Sequence, residues 1–208
     1  MKQEVLSAYD SQKLLSKYIP FPESQLIHKI SELKLKAPLV LKIISQQIIH
    51  KTEIGAVKIA HHKDEIEPVF NDLIGVAKKN KLKIDGILVQ EFVEGQQLII
   101  GIKKDSVFGH VIAFGLGGIF TELTNDISIR KCPISQTDAQ EMIEELKISK
   151  LFHGFRNIKL NTQMLKDTLV EISKLPQKNK SIKELDINPF ILNAKEGKAV
   201  DARIVLER

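Results

Sequence analysis

An apolar run, Pro38-Leu39-Val40-Leu41-Lys42-Ile43-Ile44, gives way to a polar stretch from Ser45 to Gly55, and Ala56 to Ala60 then reads as a strand again. Two strands adjacent in sequence need only two to five residues between them, and this connection is about twice that length. Long loops on a rigid scaffold often carry function. The stretch holds one histidine, His50, with Lys51, Glu53, two hydroxyls and Gly55. A solvated hairpin loop and a functional histidine are both open readings of it. The strand before it has its own oddity. Lys42 lies among six apolar residues, and a buried ammonium is costly unless it meets an anion. The alternative is an edge position with a snorkelling stem.

The chain has 208 residues, enough for one large domain or two small lobes. Hydrophobic residues make up 43% and charged residues 27%, which excludes a disordered chain. Tryptophan is absent and aromatics reach only 5%, which argues against a base-stacking surface for single-stranded nucleic acid. The net charge of +5 is spread along the sequence, which suits an anionic ligand or a solvated lysine-rich surface better than nucleic acid. The single cysteine, Cys132, allows no internal disulfide and reads as a small buried hydrophobe in a reducing compartment. Met1-Lys2-Gln3-Glu4 starts no signal peptide, and no apolar run approaches the ~18 residues of a membrane helix. The expectation is a cytoplasmic protein with no membrane contact.

Periodicity supplies the elements in between. Ser7-x-x-Asp10 resembles a capping box opening a helix, with Pro20 and Pro22 beyond its end. Leu26, Ile27, Ile30 and Leu33 predict a second helix over 23–36. Ile66, Val69, Phe70, Leu73, Val76 and Ala77 predict the clearest helix, over 64–79. Strands are predicted at 87–93, 98–103, 108–114 and 126–132. Helices follow at Ser135 and at Asn161, the latter stopped by Pro176. Residues 150–160 read as irregular, and His153, Gly154 and Arg156 there could form a binding loop or merely a surface one. Gly115-Leu116-Gly117-Gly118 lets backbone N–H groups approach an anion, but lacks the lysine and hydroxyl of a P-loop. A tight strand exit explains it equally well. Near the end, Asn188-Pro189 interrupts a strand from Ile182, and Ala199 to Val205 returns as another. Asn188 and Asp201 can then sit side by side across an antiparallel pair, as hard oxygen ligands suited to Mg²⁺ or as turn residues with an ion pair.

Taken in their shared order and spacing, five stretches resemble the ATP-grasp domain of ADP-forming acyl-CoA synthetases. They are Val40-Leu41-Lys42-Ile43, Ile49-His50-Lys51-Thr52-Glu53-Ile54-Gly55, Phe114-Gly115-Leu116-Gly117-Gly118-Ile119-Phe120, Glu184-Leu185-Asp186-Ile187-Asn188-Pro189 and Val200-Asp201-Ala202-Arg203. The family includes acetate–CoA ligase (ADP-forming), and the chain looks most like its stand-alone β subunit. The resemblance implies an α/β (α+β) fold of two lobes, with mixed or antiparallel sheets flanked by helices and a nucleotide cleft between the lobes. Residues 1–208 would form a single ATP-grasp domain, one lobe covering about 21–90 and the other about 91–208 together with 1–20.

The resemblance also implies roles. Lys42 would reach the phosphates of ADP or ATP. Lys51 and Gly55 would belong to a flap over them. Glu91, Phe92 and Val93 would form the hinge that bonds adenine through backbone groups. Asn188 and Asp201 would bind Mg²⁺, with Asp186 near them. His50 would accept phosphate from a histidine on a CoA-binding α subunit and deliver it to ADP, in an enzyme expected to be an α2β2 heterotetramer. Gly115, Gly117 and Gly118 would lie near the incoming phosphate or the subunit contact. The chain departs from the family pattern at Gln46, Ala56, Gln97 and Asn157, which stand where Pro, Gly, Glu and Gly are usual. Two other readings compete: an ATP-grasp ligase that uses an acylphosphate without phosphohistidine, and a non-catalytic nucleotide-binding or regulatory module. Neither the carboxylic acid nor a preference for ADP over GDP is legible.

Overall fold

The computed structural model describes residues 3–45, 54–118 and 126–207, and these divide into two compact units. Pro22–Val93 form the smaller unit, while Met1–Phe21 and Glu94–Arg208 form the larger.

In the smaller unit the apolar runs become β2 (Ser24–Ile27), β3 (Leu39–Ile44), β4 (Val57–Ala60) and β5 (Gly86–Glu91). They pair antiparallel in the order β2-β5-β3-β4. Helix α2 (Ile66–Lys79) follows a 3-10 turn at Lys63–Glu65, and Pro68 sits in its first turn, where its missing N–H costs nothing. Strand alternation sends Leu39, Leu41, Ile43, Ile87 and Val89 to one face, where they bury Phe70, Leu73 and Ala77 of α2.

The larger unit begins with β1 (Gln3–Val5) and α1 (Ala8–Leu15), whose first turn is capped by Ser7 accepting the Asp10 N–H. After the smaller unit come β6 (Gln96–Asp105), β7 (Gly109–Leu116), β8 (Ile127–Lys131), α3 (Gln136–Glu144) and α4 (Thr162–Lys178). Strands β9 (Ile182–Leu192), β10 (Gly197–Ala199) and β11 (Ala202–Glu207) complete it. Among the described residues these make a seven-stranded antiparallel sheet in the order β1-β11-β9-β6-β7-β8, with β10 also on β9. Leu98, Ile100, Ile102, Ile112, Phe114, Leu185, Ile187 and Ile204 share a core with Leu15 of α1, Met142 and Ile143 of α3, and Leu165, Leu169 and Ile172 of α4.

Three expectations need correction. Residues 23–36 are not a helix. Ser24–Ile27 pair with Ile87–Gln90, and only Ile30–Glu32 turn helically. The Gln25 side chain donates to the Glu32 carbonyl and accepts the Lys34 N–H, while the Glu32 carboxylate accepts the His28 N–H. These side-chain bonds close a loop, and sheet pairing overrides the apolar spacing. Pro176 does not stop α4, which runs on to Lys178. Proline already has a helical φ, so in the last turn it forfeits one bond without unwinding the chain. Finally, Asn188-Pro189 does not break β9. Ile187 faces Ile100 and Phe190 faces Leu98, so two residues oppose Ile99 alone and the strand absorbs them as a bulge.

The glycine run has a packing explanation. A Cβ on Gly115 would lie 2.5 Å from the Asp126 carbonyl oxygen, inside any permitted contact. One on Gly117 would meet the Gln97–Leu98 backbone at 3.1 Å, and the Gly117 N–H donates to the Gln97 carbonyl. Gly115→Ala is therefore expected to destabilise the fold by about 2 kcal/mol or more, lowering Tm by about 4–8 °C. Gly101→Ala, whose Cβ would meet only the Leu185 oxygen at 3.7 Å, should leave the melt within ~2 °C. Thermal melts followed by circular dichroism check both.

Candidate functional site

On the smaller sheet, the face opposite α2 carries Val40, Lys42 and Ile44 of β3 beside Leu88 and Gln90 of β5. Lys42 is only 6% exposed and sits on an inner strand, flanked by β4 and β5, rather than at a sheet edge. The residues expected to bond adenine, Glu91, Phe92 and Val93, end β5 and follow it. The Glu91 N–H donates to the Glu23 carbonyl, the Glu91 carboxylate accepts the Glu23 N–H, and the Phe92 N–H donates to the Pro38 carbonyl. Backbone bonding to an adenine at these residues therefore has to use groups other than those two N–H donors. Phe92 packs edge-on against His61, with ring centroids 6.0 Å apart. Gly55 has φ +69°, and a Cβ there would meet open space, so its conformation, not crowding, is what calls for glycine. His50 and Lys51 lie outside the described residues.

In the larger unit the pairing of β9 with β11 sets a group of oxygens. Arg203 faces Asp186, and the next pair along brings Asn188 to Asp201, with the Asn188 N–H donating to the Asp201 carbonyl at 3.2 Å. Leu185 and Ile187 point into the core, so Asp186 and Asn188 share the opposite face. Asp201 is half-buried and accepts the Ala202 N–H through Oδ1 at 3.0 Å. Partial desolvation, and secondarily the Asp201 carboxylate, raise the Asp186 pKa above its usual 3.8, although the residue stays largely exposed, while Arg203 pulls the other way. Two carboxylates and a carboxamide on one face are hard oxygen donors, and their mutual repulsion is what a divalent cation relieves. The donor set thus fits Mg²⁺. Among the described residues no group of three or more His, Cys, Asp or Glu forms a metal cluster.

Gly115 and Gly117 serve strand approach, and Gly118 turns the chain at φ +73°. Just beyond, a polar network invisible in the sequence ties β8 to α3. Asp126 is 7% exposed and accepts the Lys147 and Ile148 N–H groups. Ser128 donates to Glu145, and Arg130 forks onto the same carboxylate, which lowers the Glu145 pKa. Only the alternation of Asp126, Ser128 and Arg130 along one strand signals it. Burial pushes the Cys132 thiol up to about 12, so it is no nucleophile. In the 150–160 segment, Gly154 and Arg156 both take positive φ, and the Arg156 guanidinium stacks 5.3 Å from the Phe155 ring centroid. A cleft of about 610 Å³ between α4 and Tyr18–Pro20 has Asp167 and Glu171 in its wall against Lys195, which disfavours an anionic occupant.

A family profile described as an ATP-grasp domain matches residues 1–206. The chain belongs to the ATP-grasp family. Its antiparallel sheets flanked by helices are those of that fold. This ATP-grasp chain is 42% identical, over 214 aligned residues, to the acetate–CoA ligase [ADP-forming] of Methanocaldococcus jannaschii, covering 95% of the chain and 30% of that relative. It therefore spans less than a third of that longer protein. It is 36% identical to the acetate–CoA ligase [ADP-forming] I subunit beta of Pyrococcus furiosus, covering 95% of the chain and 90% of the subunit. Among solved structures, the dinucleotide forming acetyl-coenzyme A synthetase 1 of Ca. Korarchaeum cryptofilum, in complex with coenzyme A, Ca-AMPCP and HgCl+, superposes with a TM-score of 0.93 at 38% identity, over 98% of this chain and 94% of that one. Another structure of that enzyme, at 36% identity and a TM-score of 0.86, holds coenzyme A and Mg-AMPPCP with its phosphohistidine segment pointing towards the nucleotide binding site, and covers 98% of this chain and 93% of that one. Among the described residues no helix is long and apolar enough to cross a membrane.

The raised Asp186 pKa has a testable sign. In the unfolded chain the carboxyl ionises near its ordinary value, so above the folded pKa its charge opposes folding. That penalty fades as the pH falls through the folded pKa. Asp186→Asn is expected to raise Tm slightly, by about 1 °C or less since solvent screens this exposed carboxylate, at pH 7 in EDTA and to lose that advantage at acid pH. It should also weaken Mg²⁺-dependent stabilisation. Melts in EDTA and in magnesium chloride at the two pH values check both effects.

Proposed function

We propose that this ATP-grasp chain is the nucleotide-binding β subunit, or the equivalent portion, of an ADP-forming acyl-CoA synthetase catalysing acyl-CoA + ADP + phosphate ⇌ carboxylic acid + CoA + ATP. The observation that carries the proposal is the near end-to-end match to the separate Pyrococcus furiosus subunit beta, which spans both units of this chain. On this reading Lys42, Lys51 and Gly55 bind the phosphates, and Glu91, Phe92 and Val93 hold adenine. Asn188, Asp201 and Asp186 hold Mg²⁺, which supplies charge neutralisation at the nucleotide's phosphates.

His50 is the phosphate carrier in this proposal. A neutral imidazole near its ordinary pKa of ~6.5 is a competent nucleophile. Its ring nitrogen takes the phosphoryl group from a histidine on the partner. The new N–P bond then breaks as a β-phosphate oxygen of ADP forms the O–P bond of ATP. Lys42 offsets charge on the nucleotide as this happens, and the leaving His50 imidazole takes up one proton, replacing the one it released when it was phosphorylated. The partner is a CoA-binding α subunit, and the assembly an α2β2 heterotetramer that needs no membrane and no nucleic acid. Gly115, Gly117 and Gly118 lie towards the incoming phosphate or the subunit contact in the same reading.

The test is reconstitution. The chain, combined with its α partner, is expected to make ATP from acetyl-CoA, ADP and phosphate. His50→Ala should abolish both turnover and acid-labile ³²P labelling of the β chain, while ADP affinity stays within about threefold. An active, unlabelled His50→Ala enzyme would point instead to a ligase that uses an acylphosphate directly.

A further inference from the structure

Strand β8 has its polar and apolar sides reversed. Ser128, 4% exposed, and Arg130 turn to the helix side of the sheet, where they face Phe114 and Ile112 of the core. Both bind the Glu145 carboxylate, and Asp126 accepts the Lys147 and Ile148 N–H groups on the same side. Alternation then sends Ile127 and Ile129 to the outer face, 40% and 57% exposed. β8 ends the strand order of the large sheet, and an edge strand is ordinarily guarded by outward charge. The usual arrangement, isoleucine inward and serine outward, is one residue of register away. The contacts of Asp126, Ser128 and Arg130 hold the strand the other way round.

The two isoleucines are not isolated. Ile129 faces Ala113, Ala113 faces Gly101 and Gly101 faces Asp186, so one row crosses from β8 to β9. Beside it Ile127 faces Gly115 and Gly115 faces Ile99, with Asn188 next along. The outer face is thus an apolar strip that starts at β8 and ends at the oxygen donors. Three strand spacings of ~4.8 Å put Ile129 roughly 14 Å from Asp186. Lys131, Val111 and Lys103 border the strip on one side, with Glu184 beyond Lys103.

We infer that this strip is where the CoA-binding partner docks, with apolar side chains over Ile127, Ile129 and Ala113 and acidic groups against Lys131 and Lys103. The inference rests on the proposed function, which requires a partner to deliver a phosphoryl group to this chain. Two observations select that occupant. The strip is continuous with Asp186 and Asn188, so a chain seated on it arrives at the proposed metal donors. The border nearest Ile129 is basic, which favours an acidic surface opposite. An apolar centre with charge at the rim is the usual anatomy of a subunit contact.

The experiment measures association of the full chain with the CoA-binding chain that reconstitutes its activity, by sedimentation, with an ADP titration and a melt for each variant. Ile129→Lys is expected to weaken association about tenfold or more, because an apolar contact is lost and a charge is buried. Lysine suits an edge strand, so ADP affinity of the separate chain should stay within about twofold and Tm within ~2 °C. Ile129→Thr, which keeps the strand propensity, should weaken association about two- to tenfold. Lys131→Glu should weaken it about threefold or more at low salt and less at high salt. Val107→Lys is the control: Val107 is 80% exposed at the tip of the β6–β7 hairpin, and this variant should associate as wild type does. Wild-type association in Ile129→Lys or Lys131→Glu overturns the inference. So does an equal loss in Val107→Lys, or a wild-type chain that self-associates until Ile129→Lys makes it monomeric. If Ile129→Lys fails to melt cooperatively, Ile129→Thr decides, and wild-type association in it overturns the inference. A wild-type chain that reconstitutes with no CoA-binding chain overturns the proposed function itself, and this docking surface with it.

Discussion

Strand β9 is the constraint on which the larger unit depends. It pairs with β6 on one side and β11 on the other, and it carries two residues, Asn188 and Pro189, opposite the single Ile99. An extra residue in a ladder cannot be paired, so the strand must bend there. The pairing with β11 continues past the bend, and this is what brings Asn188 to Asp201 and keeps Asp186 against Arg203. The apolar side of the same strand, Leu185, Ile187 and Phe190, is locked in the core. A one-residue slip would turn these three to solvent and the oxygen donors inward, so the core fixes the geometry of the donor group. Hydrophobic burial and candidate metal chemistry are thus opposite faces of one register.

The smaller unit uses the same device differently. Its core face against α2 is apolar at the centre, with Lys58 and Gln25 on the outer strands, and the opposite face is mostly apolar. Lys42 and Gln90 are the buried exceptions, and both are set there by strand alternation. A polar side chain is buried inside a sheet face only with partners that offset its desolvation, so these two positions are set by specific interactions, whereas the exposed His153 needs none.

Much of this was legible in the sequence, for identifiable reasons. Helix α2 was plain because its apolar residues recur at helical spacing over a full length. The pairing of Asn188 with Asp201 was legible because a turn between two strands fixes what lies opposite what. The misreadings share a cause. Residues 23–36 have helical spacing, but Gln25 and Glu32 use their side chains to close a loop, and pairing with β5 wins. Gly115 looked like an anion cradle because the sequence does not reveal that the Asp126 carbonyl lies where its Cβ would be. The burial of Gln90 was likewise hidden, since both faces of β5 are covered and alternation alone could not separate them. Of the family departures, Gln97 now has a neighbour: its side chain would lie 3.0 Å from a Cβ on Gly118, so the two positions are coupled in space.

The pairing of β1 with β11 joins Gln3–Val5 to Val205–Glu207, while Pro22–Val93 make a unit between them. On the ribosome the two ends therefore meet different fates. The intervening unit has all its own strands in hand once Val93 has emerged and can condense before the rest of the chain is made. Gln3–Val5 must wait, with its ladder groups unsatisfied, for a partner synthesised at least 200 residues later. Assembly of the large sheet is in this sense a late event, closed by the last strand to appear.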